Sequence, residues 1–599
     1  MKLLSLLVTL HTCALIVMAA PQLNPPVVPD SVADRFVPVP YDSQRIEGIL
    51  GERMRVNLEG RLLHVDEKGI IECFQHRPGD QDWAGEHAGK FLHAAVNTWL
   101  YARDDRIKTL MDRVARELIA TQLSDGYLGT YTDDKRWTSW DVWVHKYDLI
   151  GILSYYQATG YEPALDASRK IGDLLCRTFG TGPGQRDIIK SGEHVGMAAT
   201  SVLEPMVNLY RFTGDRKYLE FCDYIVHSWD QPNGPKIIQS LNSTGSVFHT
   251  ANAKAYEMMS NLVGLEELYR ATGNPLYLRT IEIAWKDIVA HRLYVSGTSS
   301  SSEHFTDNEV LPAEEISNVG EGCATVTWLQ LNWELLRLTG EAKYAEQLEH
   351  TVYNALLGAQ DPETGDICYF TPLNGKKSPT PGINCCVSSE PRGISIIPQL
   401  AWGTRGDGAA LLFYVPGHAV IRTSAGDVTI ISDTNYPLDG TVTLTLKPAK
   451  TARFPLYLRV PAWTTHYTAT SGSKEYQGIP GKYLSIEREW KPGDQVRVNM
   501  DMTVRVVPGG PSYPNGVAIF RGPQLLALEQ DVNNGLLDLQ AAGPRGVNVR
   551  LSDARSRLPS DWRGTQAYSM DGEIAGKPRE LTLVPFADAR VYRVWLLKP

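Results

Sequence analysis

Positive charge is in short supply: 59 Lys and Arg stand against 68 Asp and Glu in 599 residues, a formal net charge of -9. A chain without a cationic excess has no field to gather a polyanion, which excludes nucleic acid as its natural partner. Beyond the N-terminus no stretch approaches 18 uninterrupted apolar residues, so no membrane span is expected. Cysteine is scarce and odd in number once Cys13 is set aside in the N-terminal apolar run, leaving Cys73, Cys176, Cys222, Cys323, Cys368, Cys385 and Cys386. An odd set cannot form a complete series of intramolecular disulfides. With 43% hydrophobic residues, general disorder is excluded as well.

Lys2, the apolar run from Leu3 to Met18 and Ala19-Ala20 read as an export signal over residues 1–20, so the mature protein is expected in the periplasm or secreted. In such a compartment the adjacent Cys385-Cys386 pair is notable, because neighbouring cysteines bridge each other only through a strained ring. Adjacent thiols are better explained by something that holds them, such as a metal. The 14 Trp and 27 Tyr suit sugar stacking, but ordinary β-sheet cores account for them first.

Four segments share a helix that ends in Thr-Gly, followed by a new helix: Thr159-Gly160, Thr213-Gly214, Thr272-Gly273 and Thr339-Gly340. A left-handed glycine closes a helix, so each reads as a helical hairpin, and a period near 60 residues reads as a repeat. A fifth hairpin without the glycine spans Phe91–Leu118, and another short helix is expected after Pro391. About six hairpins between residues 85 and 402 fit an (α/α)6 barrel, preferred over a linear solenoid because the long connections after Asp230 and Arg292 can build a site. From Gly408 the pattern changes to period two, with strands expected at 411–415, 427–431, 441–446, 456–460, 495–500 and 580–584. The expected class is therefore multidomain α + β. Residues 21–50 form an extended segment that joins the sandwich and tethers the barrel, 51–402 the (α/α)6 barrel catalytic domain, and 403–599 an antiparallel β-sandwich region with room for two small sandwiches.

The chemistry concentrates in residues 300–392. Glu321, Cys323, Cys385 and Cys386 are four potential ligands whose soft sulfur donors and single carboxylate suit tetrahedral zinc, although buried free thiols or a stray disulfide stay open on spacing alone. The run Glu303–Phe305, Glu321–Cys323, Cys385–Cys386, with GluHisThrValTyrAsn at 349–354 and CysTyrPheThrProLeu at 368–373, resembles glycoside hydrolase family 127, the β-L-arabinofuranosidases, and the related family 146. The resemblance implies an (α/α)6 barrel followed by β-sandwich domains, and a double-displacement mechanism. It assigns Cys385 as nucleophile, Glu303 as acid/base, and Glu321, Cys323, Cys385 and Cys386 as ligands of Zn2+. Glu349, Tyr369 and His145 match sugar-contacting positions. Without the resemblance they read as an exposed helix residue, a strand packing residue and a core histidine.

Departures from the family bear on the substrate. Lys254 stands where the family carries a Gly-His-Ala histidine, a second family histidine is replaced around Thr200, and ValSerSerGluProArg brings Arg392 near the cysteine pair. Lys254 is thus a candidate substrate contact that can pair with an acidic sugar. The expectation is a retaining hydrolase acting on a terminal furanoside of an oligosaccharide or polysaccharide, with a homodimer as the other partner considered. The alternatives are the same mechanism on an acidic pentose such as aceric acid of pectin, an unsaturated uronide hydrolase or lyase on the same barrel, or a non-catalytic carbohydrate-binding protein with structural zinc.

Overall fold

A computed structural model describes residues 23–534 and 539–599. The expected export signal, residues 1–20, lies outside the described residues. The N-terminal part is helical and the C-terminal part consists of antiparallel sheets.

Five helical hairpins follow one another: α1 (Glu86–Ala102) with α2 (Asp105–Ala120), α3 (Asp141–Thr159) with α4 (Glu162–Thr178), α5 (Leu203–Thr213) with α6 (Arg216–Ser228), α7 (Ala255–Thr272) with α8 (Pro275–Asp287), and α9 (Gly322–Thr339) with α10 (Ala342–Thr351). A last helix, α11, spans Cys385–Ser395. Gly160, Gly214, Gly273 and Gly340 each take φ between 67° and 74° and close α3, α5, α7 and α9 as the Thr-Gly pattern predicts. In the hairpin without glycine, Arg103 takes the same left-handed conformation at φ 53°. The second helices are amphipathic: α2 buries Ile107, Leu110, Met111, Val114, Ala115 and Leu118 and leaves the rest facing outward. Asp104, Asp215 and Asn274 cap α2, α6 and α8 through their side chains. The first helices are buried on nearly every side, as α3 shows from Asp141 to Leu153. They pack in sequence, α1 on α3, α3 on α5, α5 on α7, α7 on α9 and α9 on α11, and α11 returns to α1, which closes the circuit.

The helix expected after Pro391 instead begins at Cys385 and carries Pro391 inside it. Asn384 is the cause: it is extended, and its Oδ1 accepts from the Cys386 and Val387 N–H groups at 3.0 Å each, which starts the helix seven residues early.

The N-terminal segment crosses the far end of this circuit. Its N–H groups reach carbonyls in the last turns of four inner helices: Asn24 to Gln157, Val27 and Val28 to Arg211, Ser31 and Val32 to Arg270, and Arg35 to Arg337. It then adds Phe36–Pro38 to a five-stranded sheet and Gln44–Ile46 to a seven-stranded one. These two sheets hold strands between 402 and 500 and bury alternate residues, among them Leu456, Leu458 and Ile486 from one and Val442, Leu444 and Val498 from the other, in a shared core. Residues 412–415 are not a strand. The strand Gly408–Leu411 belongs to the first sheet and Gly417–Thr423 to the second, so the fully buried connection crosses between them.

A third sheet, ten-stranded, comprises strands from Val504 to Leu597 together with Asn374–Lys376. One face packs on Tyr294, Ala313, Val319 and Leu373 of the helical part, and Val591–Arg593 pairs with Asn374–Lys376. This sheet therefore backs the loops on either side of Glu303 and Tyr369. No described helix is long and apolar enough to cross a membrane.

Candidate active site

The N-terminal ends of the inner helices converge opposite the tether. Glu321 precedes α9, Cys323 lies in its first turn, and Cys385 and Cys386 open α11. One ligand atom from each of the four lies within 4.8 Å of all the others. Cys323 Sγ and Cys386 Sγ are 3.5 Å apart, and Cys385 Sγ and Cys386 Sγ 3.9 Å. A tetrahedral ion with metal–sulfur bonds of about 2.3 Å needs sulfur–sulfur edges of about 3.8 Å, close to these two, so the group is compact enough to hold one metal ion. Glu321 is 1% exposed and its Oε2 has no hydrogen-bond partner among the described residues, a buried acceptor that a cation would satisfy.

The sulfurs are not equivalent. Burial drives the Cys386 and Cys323 thiols up, and drives the Glu321 carboxyl well above the usual carboxylate range. Cys385, half-buried at the rim, is pushed down to about 5, first by hydrogen bonds from Cys323 and Cys386. It is the one sulfur of the set that the protein itself favours as thiolate, and the start of a helix is a suitable place for that charge.

Glu303 lies across from it on a loop with Ser302 at φ 44° and Glu303 at φ 67°, a conformation costly for residues with a Cβ. Two backbone bonds hold the loop to the start of α7: Ala255 N–H to Glu303 O at 3.0 Å, and Phe305 N–H to Ala253 O at 2.8 Å. Tyr369 OH donates to Glu303 Oε1 at 2.7 Å and lies 3.1 Å from Cys385 Sγ. Lys254, at the N-cap of α7, forms an ion pair with Glu303 Oε2. Burial alone would raise the Glu303 pKa, but the Lys254 charge and hydrogen bond, with that of Tyr369, hold it below the ordinary value. Trp143, Tyr147 and Tyr256 form an aromatic wall behind the sulfurs.

The structure thus brings Glu303, Glu321, Cys323, Tyr369, Cys385, Cys386 and Lys254 together. It does not bring His145 or Glu349 to them. His145 is fully buried, donates through Nδ1–H to Asp141 O at 2.8 Å, and packs on Tyr127 and Trp137. Glu349, at the end of α10, is bound by Tyr436 OH (2.7 Å), Trp463 Nε1 (3.1 Å) and the Arg459 guanidinium (2.5 Å), all from the sheet region. The expected sugar contact gives way to an anchor between helical and sheet parts. Arg392 is buried below the site, where its Nε donates to His93 Nδ1 at 3.1 Å.

Three residues near the site carried no sequence signal. Glu86 and Lys90 lie one turn apart on α1, and Lys90 Nζ reaches the Cys385 carbonyl at 3.1 Å. His194 faces His304 with ring centres 6.3 Å apart, so a histidine does stand near the mouth, six residues before the position around Thr200 where one seemed lost. Cys73, Cys176, Cys222 and Cys368 lie outside the cluster, and all seven described cysteines are free.

Residues 58–399 match the family model described as β-L-arabinofuranosidase, GH127 catalytic domain, and residues 410–502 that of the GH127 middle domain. The chain is 26% identical over 583 aligned residues, covering 83% of it and 85% of the relative, to a non-reducing end β-L-arabinofuranosidase of Bifidobacterium longum subsp. longum. Its fold is shared with a GH127 β-arabinofuranosidase (TM-score 0.80, 23% identity, 95% of this chain and 98% of that one). It is shared equally with a GH127 β-L-arabinofuranosidase of Geobacillus stearothermophilus T6 (TM-score 0.79, 21% identity, 93% and 100%). The catalytic-domain match alone spans more than half of the sequence, and the chain belongs to glycoside hydrolase family 127, the β-L-arabinofuranosidase family.

Proposed function

We propose that the protein is an exported, retaining hydrolase that removes terminal β-L-arabinofuranosyl residues from the non-reducing ends of plant glycans. Its helical circuit, backed by outer helices, reads as an (α/α)6 barrel over residues 51–402, with the sheet region over 403–599. Export rests on the signal-like residues 1–20.

The observation that carries the mechanism is a single hydroxyl. Tyr369 OH is 3.1 Å from Cys385 Sγ and 2.7 Å from Glu303 Oε1, so sulfur and carboxylate can be no more than about 6 Å apart. Retaining glycosidases space their two catalytic groups at about 5–5.5 Å, whereas inverting ones leave about 6.5–9.5 Å for an intervening water. Glu321, Cys323, Cys385 and Cys386 would hold zinc, and a zinc ion there supplies charge that keeps Cys385 ionised and makes its sulfur a competent leaving group. Cys385 Sγ attacks the anomeric carbon while Glu303 gives its proton to the departing oxygen. Glu303, now ionised, takes a proton from water as the water displaces the sulfur, and two inversions restore the configuration.

Lys254 bears on the sugar. Its ammonium is engaged by Glu303 rather than free, so a sugar carboxylate would have to compete with the acid/base for it. This favours a neutral arabinofuranoside over an acidic pentose. A purely binding role leaves the Glu303–Tyr369–Cys385 chain without a use. The test is hydrolysis of an aryl β-L-arabinofuranoside, with metal analysis and NMR of the first-formed product. Wild-type protein is expected to carry about one zinc per chain, to lose activity to a chelator and to retain configuration. Cys385→Ser and Glu303→Gln are expected to fold but not hydrolyse, and full activity in Cys385→Ser would refute the nucleophile.

A further inference from the structure

We propose that Lys90 is a positioning residue of the metal centre, a buried ammonium that α1 holds against the sulfur cluster to offset negative charge that a divalent ion leaves behind. The inference rests on the reading of Glu321, Cys323, Cys385 and Cys386 as metal ligands.

The need arises from simple charge counting. Three thiolates and a carboxylate carry four negative charges, and a divalent ion returns two. Glu321, Cys323 and Cys386 are at most 1% exposed, so water cannot screen what remains. Uncompensated charge in such a place is expensive unless a countercharge or hydrogen bonds accompany it.

Lys90 is placed to answer that need. It is fully buried, and its Nζ lies 3.9 Å from Cys323 Sγ and donates to Cys385 O at 3.1 Å. Among the described residues it is the one cation within hydrogen-bonding reach of a sulfur of the cluster. One side chain on α1 therefore touches both α9 and α11, the two helices that contribute the sulfurs. The ammonium also lies over the rings of Tyr147 and Tyr256, at 4.7 and 5.4 Å from their centres, which favour a cation there.

Glu86 steadies the arrangement. Its Oε1 is 2.8 Å from Lys90 Nζ, and its Oε2 accepts from Trp143 Nε1 at 2.5 Å. These two contacts fix the Glu86 carboxylate, and through it the Lys90 ammonium, in place beside the cluster. Groups of this kind outside the ligand set tune affinity as strongly as some ligands do.

The experiment measures zinc affinity, by competition with a chromophoric chelator, in the full-length wild type, K90M, K90R and E86Q. K90M is expected to bind zinc about 10–100-fold more weakly than wild type. K90R, which keeps the charge, should recover most of that loss, and E86Q should fall between. At saturating zinc the K90M deficit should appear in kcat rather than KM, because Lys90 does not face the sugar. Zinc affinity in K90M within about twofold of wild type, or K90R as weak as K90M, overturns the assignment. If K90M fails to fold, E86Q and K90R decide by the same criterion. Wild-type protein that takes up no zinc overturns the metal reading itself, whereas wild-type binding with an unchanged K90M overturns only the role of Lys90.

Discussion

The two ends of the inner helices are made of similar residues used in opposite ways. At the C-terminal end the arginines are paired with carboxylates, and Glu266 is the buried carboxylate there that no described group bonds. Arg211 meets Asp30 at 2.5 Å and Glu267 at 3.1 Å, Arg270 meets Asp34 and, at 2.5 Å, Glu334, and Arg337 meets Asp34 at 2.7 Å and Glu334 at 2.9 Å. At the N-terminal end Glu257, Glu321 and Glu390 are buried with carboxylate oxygens that no described group bonds. Burial pushes Glu257 up to about 7 and the other two well above the carboxylate range. The C-terminal cations are satisfied within the chain, whereas the N-terminal carboxylates gather around the four residues that could hold a metal ion. The same helices thus separate stability from chemistry along their length.

The strongest test of that separation is at Arg270, which is fully buried and faces Asp34, Glu267 and Glu334. Arg270→Met leaves three carboxylates with one cation fewer. Breaking a buried network from one side costs about 3–5 kcal/mol, so the thermal transition should fall by several degrees. The kcat/KM of the protein that remains folded should stay within about threefold of wild type, because sites that share no partners respond independently. A drop of about a hundredfold with a modest loss of stability would show that the two ends are coupled.

The sequence was most legible where the structure is decided locally. A Thr-Gly pair announces a left-handed helix end without reference to the rest of the chain, and all four such pairs end helices. The clustering of Glu321, Cys323, Cys385 and Cys386 was legible because residues able to hold a metal are chemically rare. What escaped depends on partners far away in the chain. Nothing near Lys90 says that its Nζ reaches Cys323, 233 residues on. Glu349 matched a sugar-contacting position, but its partners Tyr436 and Trp463 come from 87 and 114 residues later. Lys254 read as a free cation because its partner Glu303 lies on another loop, 49 residues away. Period two over 411–415 could not reveal that the segment leaves one sheet for another.

Lys254 sharpens the contrast from the other side, since it is a paired cation at the N-terminal end. Its charge holds Glu303 below the ordinary carboxyl value despite the burial that would raise it. A general acid must be protonated in the free enzyme, so kcat/KM falls as pH rises through the Glu303 pKa. Removing the cation in Lys254→Met lifts that pKa, and the high-pH limb of kcat/KM should move to higher pH. Tyr369→Phe should move it the same way by less, because its hydrogen bond ranks below the Lys254 interactions. A limb that stays in place would mean that Glu303 is not the acid, or that Lys254 is released when the sugar enters.

The smallest effect belongs to the tethered turns, where the N-terminal segment covers each helix end. An added Cβ at Gly273 would meet Val32 Cγ2 at 3.8 Å, ordinary contact, so Gly273→Ala carries only the cost of φ 74°. That cost is about 1 kcal/mol. At Gly340 the Cβ would lie 3.1 Å from Arg35 Cβ, so Gly340→Ala also pushes on the tether and should cost more. Arg35 N–H bonds Arg337 O, and Arg337 belongs to the charge network, so displacing the tether at Gly340 strains both. Urea denaturation of the two variants measures the difference. Equal losses would mean that the segment merely lies over the turns, and a larger loss at Gly340 that it braces the closed end.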